Sequence, residues 1–202
     1  MEKLSREKLM TLERYAVERE AYRTKVIAHK KARRVAVGAH ATLLFEDDVT
    51  MQYQVQEMLR VERIFEPAAI EEEIATYNPL IPDGRNWKAT FLIEYEDVDE
   101  RAAALARMPG VEDRVWLEIG AAPRTFAFAN DDLERSDRGR TAAVHFLRFE
   151  LDDAQVAALE AGEAVTVGID HDELRGQVTL APETVASLAN DLDTFVTAGS
   201  AT

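Results

Sequence analysis

The first 34 residues carry apolar positions at helical spacing. Ser5 is suited to cap a helix, and neither Gly nor Pro follows it before Arg34. The apolar stripe consists of Leu9, Leu12, Tyr15, Ala16, Tyr22, Val26 and Ile27. This pattern predicts one long helix, or two helices that are separated near residues 17–20.

A strand pattern and two helix patterns follow. Residues 35–45 alternate loosely between apolar and polar side chains, with Gly38 at a bend or bulge, and they predict a strand. Asp47 or Asp48 can cap a helix that ends near residue 65, and Pro67 opens another helix that ends near residue 77. We therefore expect residues 1–85 to be a helical N-terminal region with one strand.

From Trp87 onward the chain alternates between strand and helix patterns. The predicted strands are residues 87–95, 115–119, 125–129, 144–151, 165–169 and 176–180. The predicted helices are residues 98–106, 153–161 and 182–192. Residues 86–196 therefore form a mixed α+β region that shares one core with residues 1–85. We expect residues 130–140 to be a mobile surface loop and residues 197–202 a disordered tail.

These elements predict an α+β fold, in which a helical N-terminal third packs on a mixed, mainly antiparallel β-sheet with short helices. The hydrophobic content of 47% excludes a wholly disordered chain. No apolar run approaches the roughly 20 residues of a membrane helix, and no secretion signal opens the chain. These features predict a cytoplasmic protein without a membrane span.

Cysteine and charge exclude several functions. The chain has no Cys, which rules out disulfides, thiol catalysis and cysteine-ligated iron–sulfur clusters, whereas a metal bound by other ligands is possible. The net charge of −14 argues against general nucleic-acid binding. Phosphate-loop, dinucleotide, esterase-elbow and zinc-protease motifs are also missing.

Charge is distributed unevenly along the chain. Residues 1–34 hold eleven Lys and Arg against five Glu, and the remaining residues carry a net charge of −20. The basic N-terminal arm either lies on the acidic body of the molecule or is exposed and binds an acidic partner. The first arrangement is favoured.

The helix that begins near residue 48 has apolar side chains on two sides, which predicts that it is sandwiched between other elements. Its polar side chains would then be partly enclosed and would need partners. The candidate polar site consists of Tyr53, Gln56, Glu57, Arg60 and Glu62. Glu62 is expected to project into the main apolar side.

Two interpretations of Glu57 and Glu62 are open. Each carboxylate could act in acid–base chemistry or ligate a metal together with a histidine. Each could instead form an ion pair with a nearby arginine, and Glu62 could simply emerge from the core near the end of its helix. The second interpretation is favoured.

Histidines and arginines supply further candidate ligands. His145 and His171 lie at strand ends with inward parity, so they are candidate metal ligands. They would meet only if their strands were antiparallel neighbours. His29 is expected to be solvated. A small-anion site is a further candidate, formed by Arg33, Arg34, Arg60 and Arg63.

Several blocks of the sequence resemble a known bacterial family. They are FEDDVTMQYQVQEMLRVER at residues 45–63, YNPLIP at 77–82, EDRVWLEI at 112–119, HFLRFE at 145–150 and GIDH at 168–171. Together they resemble domain-of-unknown-function family 3501 over nearly the whole chain. The family has no established activity or active-site residues to transfer. The resemblance implies a genomic setting beside rubrerythrin-like proteins and iron–sulfur oxidoreductases related to heterodisulfide reductase.

The leading hypothesis is an accessory, partner-binding protein of a cytoplasmic redox or peroxide-defence module. Its expected partners are the rubrerythrin-like and iron–sulfur proteins that the resemblance implies. The alternative is a metal-binding or small-anion-binding protein, or an enzyme that uses Glu57 or Glu62 with a histidine. The sequence does not distinguish a monomer from an oligomer.

Overall fold

The computed structural model describes residues 1–129 and 141–193. Its helices are α1 (Leu12–Lys31), α2 (Asp48–Val61), α3 (Pro67–Tyr77), α4 (Val98–Ala106), α5 (Asp153–Glu160) and α6 (Pro182–Ala189). Its strands are β1 (Arg34–Ala36), β2 (Ala41–Glu46), β3 (Asn86–Ile93), β4 (Val115–Ile119), β5 (Thr125–Phe126), β6 (Phe128–Ala129), β7 (Val144–Glu150), β8 (Val165–His171) and β9 (Leu174–Thr179). Short 3-10 turns lie at Arg6–Lys8, Asn78–Leu80 and Val111–Arg114. The α+β prediction is confirmed.

The described strands form two antiparallel sheets, with orders β1-β2-β3-β7-β6 and β5-β4-β8-β9. The stretch predicted as one strand, residues 125–129, serves both sheets: β5 pairs with β4, and β6 pairs with β7. Ala127 lies between these two short strands and is buried. The chain thus crosses from one sheet to the other at Ala127.

One apolar core contains side chains from both sheets. Strict alternation along β7 buries Leu147 and Phe149, and alternation along β8 buries Val165 and Val167. Side chains of β2, β3 and β4 complete this core, among them Leu43, Phe45, Trp87, Phe91, Leu117 and Ile119. A smaller apolar cluster lies among the N-terminal segment, α2 and α3, and consists of Leu4, Met51, Val55, Leu59, Ile74 and Ile81.

The N-terminal helix differs from its predicted form at its start. α1 begins after Thr11, whose Oγ1 accepts a hydrogen bond from the backbone N–H of Arg14 over 3.3 Å. Ser5 instead precedes the 3-10 turn Arg6–Lys8 and makes no side-chain cap. The helix continues unbroken through residues 17–20.

The predicted strand of residues 35–45 is a hairpin. β1 pairs with β2 from Arg34 opposite Leu44 to Ala36 opposite Thr42. Gly38 lies between the two strands with a φ of +75°, which Gly adopts more readily than any other residue. The prediction of one strand in residues 1–85 is therefore wrong, because this glycine reverses the chain.

Helix α2 has well-defined ends. The backbone N–H of Thr50 donates to Asp47 Oδ1 over 2.8 Å, and the N–H of Asp47 donates to Thr50 Oγ1 over 2.9 Å. At the other end, the N–H of Ile64 donates to the carbonyl of Leu59 over 2.9 Å, and Arg63 has a φ of +55°. The helix therefore ends at Val61 rather than near residue 65.

Residues 1–85 and 86–196 share a sheet, because β2 pairs with β3 over six residue pairs. The predictions of a loop at residues 130–140 and of a tail at residues 197–202 lie outside the described residues. Among the helices that the structure describes, none combines the length and apolar character needed to cross a bilayer.

Candidate functional site

The predicted enclosure of α2 on two sides is confirmed, because α1 and α3 both pack against it. Glu57 faces α1. Tyr15 Oη donates to Glu57 Oε1 over 2.6 Å, and Arg19 donates to both carboxylate oxygens over 2.7 and 2.8 Å. Arg60 Nη2 lies 3.3 Å from Glu57 Oε2. The hydrogen bonds from Arg19 lower the pKa of Glu57 to about 2 against the opposing effect of burial, so this carboxylate is ionised and joins two helices.

Gln56 and Tyr53 contact other parts of the helical layer. Gln56 is fully buried, and its Oε1 accepts a hydrogen bond from the backbone N–H of Met10 over 2.6 Å. Its Nε2 is buried without a hydrogen-bond partner among the described residues. Tyr53 is half-buried, with its ring centroid 6.1 Å from that of Tyr22 and 5.6 Å from Lys30 Nζ. Gln56 therefore fixes the segment before α1.

Glu62 is exposed at the end of α2, so the expectation that it projects into the apolar side is wrong. The physical reason is the turn at Arg63, which stops the helix one residue before Glu62 and carries the chain away from the core. Tyr53, Gln56, Glu57 and Arg60 lie on one helix, but Glu62 is not gathered with them.

Arg33 is the most deeply enclosed cation of the described chain, with 1% of its surface exposed. Its Nη atoms donate to both carboxylate oxygens of Asp191, one of them over 3.2 Å. Its Nε donates to the Phe45 carbonyl over 2.9 Å, and one Nη donates to the Glu46 carbonyl over 3.0 Å. The other Nη also donates to Ser187 Oγ over 3.0 Å. All three guanidinium nitrogens are thus engaged.

Asp47 and His29 extend this charge cluster. Asp47 Oδ2 lies 3.3 Å from Arg33 Nε and 2.5 Å from His29 Nε2. Although burial opposes the shift, the hydrogen bond from His29 and the charge of Arg33 lower the pKa of Asp47. Burial raises the pKa of Asp191 to about 6 against the effect of Arg33. His29 is therefore a paired, half-buried group, and the expectation that it is solvated is wrong.

The candidate anion-binding arginines do not converge. Arg33 is enclosed by its carboxylates, whereas Arg34 is exposed and pairs with Glu94 over 3.0 Å. Arg60 pairs with Glu57 at the far end of α2. Arg63 is exposed in the turn after α2 and has no ion pair within the described residues.

Sequence reasoning missed the buried carboxyl group of Glu46, the last residue of β2. Its side chain is 4% exposed, and Thr90 Oγ1 donates to its Oε1 over 2.6 Å. Its Oε2 has no hydrogen-bond partner in the described part of the chain. Burial raises the pKa of Glu46. Strand alternation puts Glu46 on the same face as Thr42 and Leu44. Its burial there, near Lys30 of α1 and Thr50 of α2, depends on tertiary packing that the strand pattern does not encode.

His145 and His171 lie in different sheets. His145 is fully buried, and its Nε2 lies 2.9 Å from Thr141 Oγ1 and 3.0 Å from the Ala142 carbonyl. Its Nδ1 lies 3.9 Å from Glu112 Oε1. His171 is half-buried at the end of β8. The strands of the two histidines are not neighbours, so the structure does not bring them together.

His171 lines an open polar cleft of about 660 Å³ between the connection after α4 and the turn after β8. Arg175 in this cleft pairs with Asp170 over 3.2 Å and with Asp172 over 3.4 Å. Arg114 also lines the cleft and has no ion pair within the described residues. The cleft therefore offers the unpaired guanidinium of Arg114 and the imidazole of His171, beside the carboxylate of Asp113, which also has no ion pair within the described residues.

The corner groove is the other candidate binding surface, and it lies where α2 turns into α3. It has a volume of about 260 Å³. Its apolar lining consists of Leu9, Met10, Leu12, Leu59, Ile64, Phe65 and Ile70. Phe65 is 68% exposed and the neighbouring Val61 57% exposed. The sequence pattern predicts that this helix continues to about residue 65, so it gives no sign that Phe65 is exposed.

The arrangement of Asp, Glu and His side chains in the described residues does not support the predicted metal site. Within residues 1–129 and 141–193, no group of three or more of these side chains could hold a metal ion. The candidates Glu57, His145 and His171 lie apart, with Glu57 held by two arginines. The described polar groups are thus organised as structural ion pairs and one open cleft.

Comparisons with known proteins give a family and a solved structure. The model of the DUF3501 family, described as a protein of unknown function, matches residues 3–192. A crystal structure of a novel protein of unknown function from Burkholderia pseudomallei K96243, at 1.90 Å resolution, is similar to this chain with 49% sequence identity and a TM-score of 0.90. The match covers 95% of this chain and all of that one. A search of the curated proteins gives no match.

Proposed function

The chain belongs to the DUF3501 family of proteins of unknown function, and we propose that it is an accessory protein that binds a protein partner at the corner groove. The partner places a bulky apolar side chain in the groove and covers Phe65 and Val61. The protein acts in a cytoplasmic redox or peroxide-defence module. A rubrerythrin-like protein and an iron–sulfur oxidoreductase are the partners that the family resemblance suggests.

The exposure of Phe65 beside a preformed apolar groove is the observation that carries this proposal. A large aromatic side chain that is 68% exposed leaves apolar area in contact with water, and such patches mark interaction surfaces. An apolar cavity of about 150 Å³ holds a benzene ring, so a groove of 260 Å³ accommodates one aromatic side chain of a partner. The groove is already open, so binding does not require the helices to separate.

The polar groups around α2 support binding rather than catalysis. Glu57 and Arg33 are saturated by structural partners, which leaves neither free to touch a substrate. Arg63 and Arg6 lie beside the groove without ion pairs in the described chain, and they can pair with carboxylates at the rim of a partner's surface.

Calorimetric titration of the purified rubrerythrin-like protein and of the iron–sulfur oxidoreductase into this protein tests the proposal. One of them should bind the wild type, and Phe65→Ser should weaken that binding at least tenfold, because burying a Phe side chain contributes about 1.5–3 kcal/mol. Val98→Ser is the matched control, since Val98 is 63% exposed on α4 and away from the groove. Equal affinity of wild type and Phe65→Ser would contradict the proposal.

A small-anion-binding protein is the second candidate, and the polar cleft favours it. The unpaired guanidinium of Arg114 and the ring of His171 line the same cleft, and an anion bound there would meet both. Inorganic phosphate should then raise the melting temperature of the wild type but not of Arg114→Gln. A melting temperature that is unchanged at saturating phosphate would remove this candidate.

A further inference from the structure

Charge is segregated along the outward face of α1. The carboxylates Glu13, Glu18 and Glu20 all lie in the N-terminal half of the helix. The cations Arg23, Lys25 and Lys31 lie in the C-terminal half, are exposed, and form no ion pair within the described residues. The outward face thus has an acidic end and a basic end. Arg14 is the exception, and it pairs with Glu18 over 2.8 Å.

An apolar and small-residue strip runs between these charges. At about 100° per residue, the buried Tyr15 and Val26 place the opposite face at Val17, Ala21, Thr24 and Ala28. Val17 is 85% exposed, and Ile27, at the edge of the strip, is 48% exposed. Small side chains between them would let a second helix approach closely.

This face is complementary to itself under a two-fold rotation. When two copies of α1 lie antiparallel with the axis at residue 22, residue 13 of one copy is opposite residue 31 of the other. The same rotation places Glu13 against Lys31, and Val17 against Ile27. It also places Glu18 of one copy near Lys25 of the other on one side of the helix pair, and Glu20 near Arg23 on the opposite side. Glu13 and Lys31, which lie nearest the centre of the face, thereby meet. Glu18, Glu20, Arg23 and Lys25 lie near opposite charges at the edges of the contact, and the two exposed apolar side chains cover each other.

We infer that the outward face of α1 is a dimer interface, which joins two copies of this chain through an antiparallel helix pair. A parallel pair would place Glu18 against Glu18 and Lys25 against Lys25, and such like-charge contacts are destabilising. A uniformly acidic partner would meet the basic end but would be repelled by Glu13 and Glu20. A second copy of the chain places opposite charge against both the acidic end and the basic end of this face.

Sedimentation velocity over a range of protein concentrations tests this inference. The wild type should form a dimer that weakens as salt is added. Lys31→Glu should raise the dissociation constant at least tenfold, and the double variant Glu13→Lys/Lys31→Glu should restore it to within about threefold of the wild type. Arg114→Glu makes the same change of charge in the polar cleft and should sediment as the wild type does.

A monomer at all concentrations up to about 100 μM would overturn the inference. A dimer that Lys31→Glu leaves unchanged would overturn it as well, because the contact would then lie elsewhere. Glu13 lines the corner groove as well, but Phe65 takes no part in the proposed helix pair. Phe65→Ser should therefore dimerise normally even when it fails to bind a redox partner.

Discussion

At the scale of single residues, the helical layer is held by ionised groups that are enclosed and paired. Arg33 and Asp191 are 158 residues apart in sequence, and their ion pair attaches the end of α6 to the end of α1. Glu57 attaches α2 to α1 in the same way through Arg19. Breaking such a pair destabilises the fold, because removing one partner leaves the other charge buried without compensation.

Arg33→Met should therefore lower the free energy of unfolding by about 3–5 kcal/mol, since it leaves Asp47 and Asp191 enclosed without their cation. The adjacent Arg34→Met is the matched control. Arg34 is 56% exposed and pairs with an exposed carboxylate, so its loss should change stability by less than about 1 kcal/mol. Urea unfolding of both variants measures the two values, and similar losses would contradict this account.

Glu57 makes the free energy of unfolding depend on pH. Its pKa of about 2 in the folded protein lies below the ordinary value of 4.5, so its ionised form stabilises the fold above pH 4.5. That contribution is lost as the pH falls from about 4.5 towards 2. Glu57→Gln should be less stable than the wild type at neutral pH, and the difference should shrink over this window.

Chemical denaturation at a series of pH values checks this dependence. Glu62→Gln is the control, because Glu62 is exposed at the end of the same helix and its variant should follow the wild-type curve. A constant difference between wild type and Glu57→Gln from pH 5 to pH 2 would show that the carboxylate is not stabilised by its arginines.

At the scale of elements, sequence patterns were most informative where the side-chain period is regular. The predicted strand 115–119 and the predicted helix 98–106 have the bounds of β4 (Val115–Ile119) and α4 (Val98–Ala106) in the structure. The patterns of residues 35–45 and of residues 125–129 each predict one strand, but each segment forms two strands. The first segment is divided by the chain reversal at Gly38, and the second by the change of sheet at Ala127. The alternation of apolar and polar residues along a strand encodes neither event.

The contact of β4 with β8 depends on a glycine. Trp116 lies opposite Gly168, and a Cβ at Gly168 would be 2.3 Å from Trp116 Cζ2. Arg124 Cζ lies 3.8 Å from the centroid of the same indole ring, and Trp116 is buried. Gly168 is therefore required by the close approach of the tryptophan.

Gly168→Ala should destabilise the protein by about 1–3 kcal/mol and shift the tryptophan fluorescence, because the indole must leave its place. Gly176→Ala on the neighbouring strand is the control. Its added Cβ would lie 3.6 Å from Val37 Cγ1, which is ordinary contact. Thermal unfolding followed by fluorescence compares the two, and equal melting temperatures would show that Trp116 is not confined.

At the scale of the whole molecule, sequence reasoning found the helix that carries Glu57 but not the surfaces that remain open. The two-sided apolar pattern of α2 correctly indicated its enclosure. The pairing of Arg33 with Asp191 and the burial of Glu46 depend on elements far apart in sequence, so local patterns carried no signal for them. The sequence pattern continues α2 to about residue 65, whereas the turn at Arg63 ends the helix and places the exposed Phe65 beside the corner groove.

Hydrogen–deuterium exchange of this protein, alone and with the redox partner that binds it, tests the central proposal most directly. The account predicts that the partner slows exchange in residues 6–13 and 61–70, which line or flank the corner groove. Residues 109–114 and 170–175 of the polar cleft should exchange as before. Protection confined to other surfaces, with unchanged exchange at the corner groove, would contradict it.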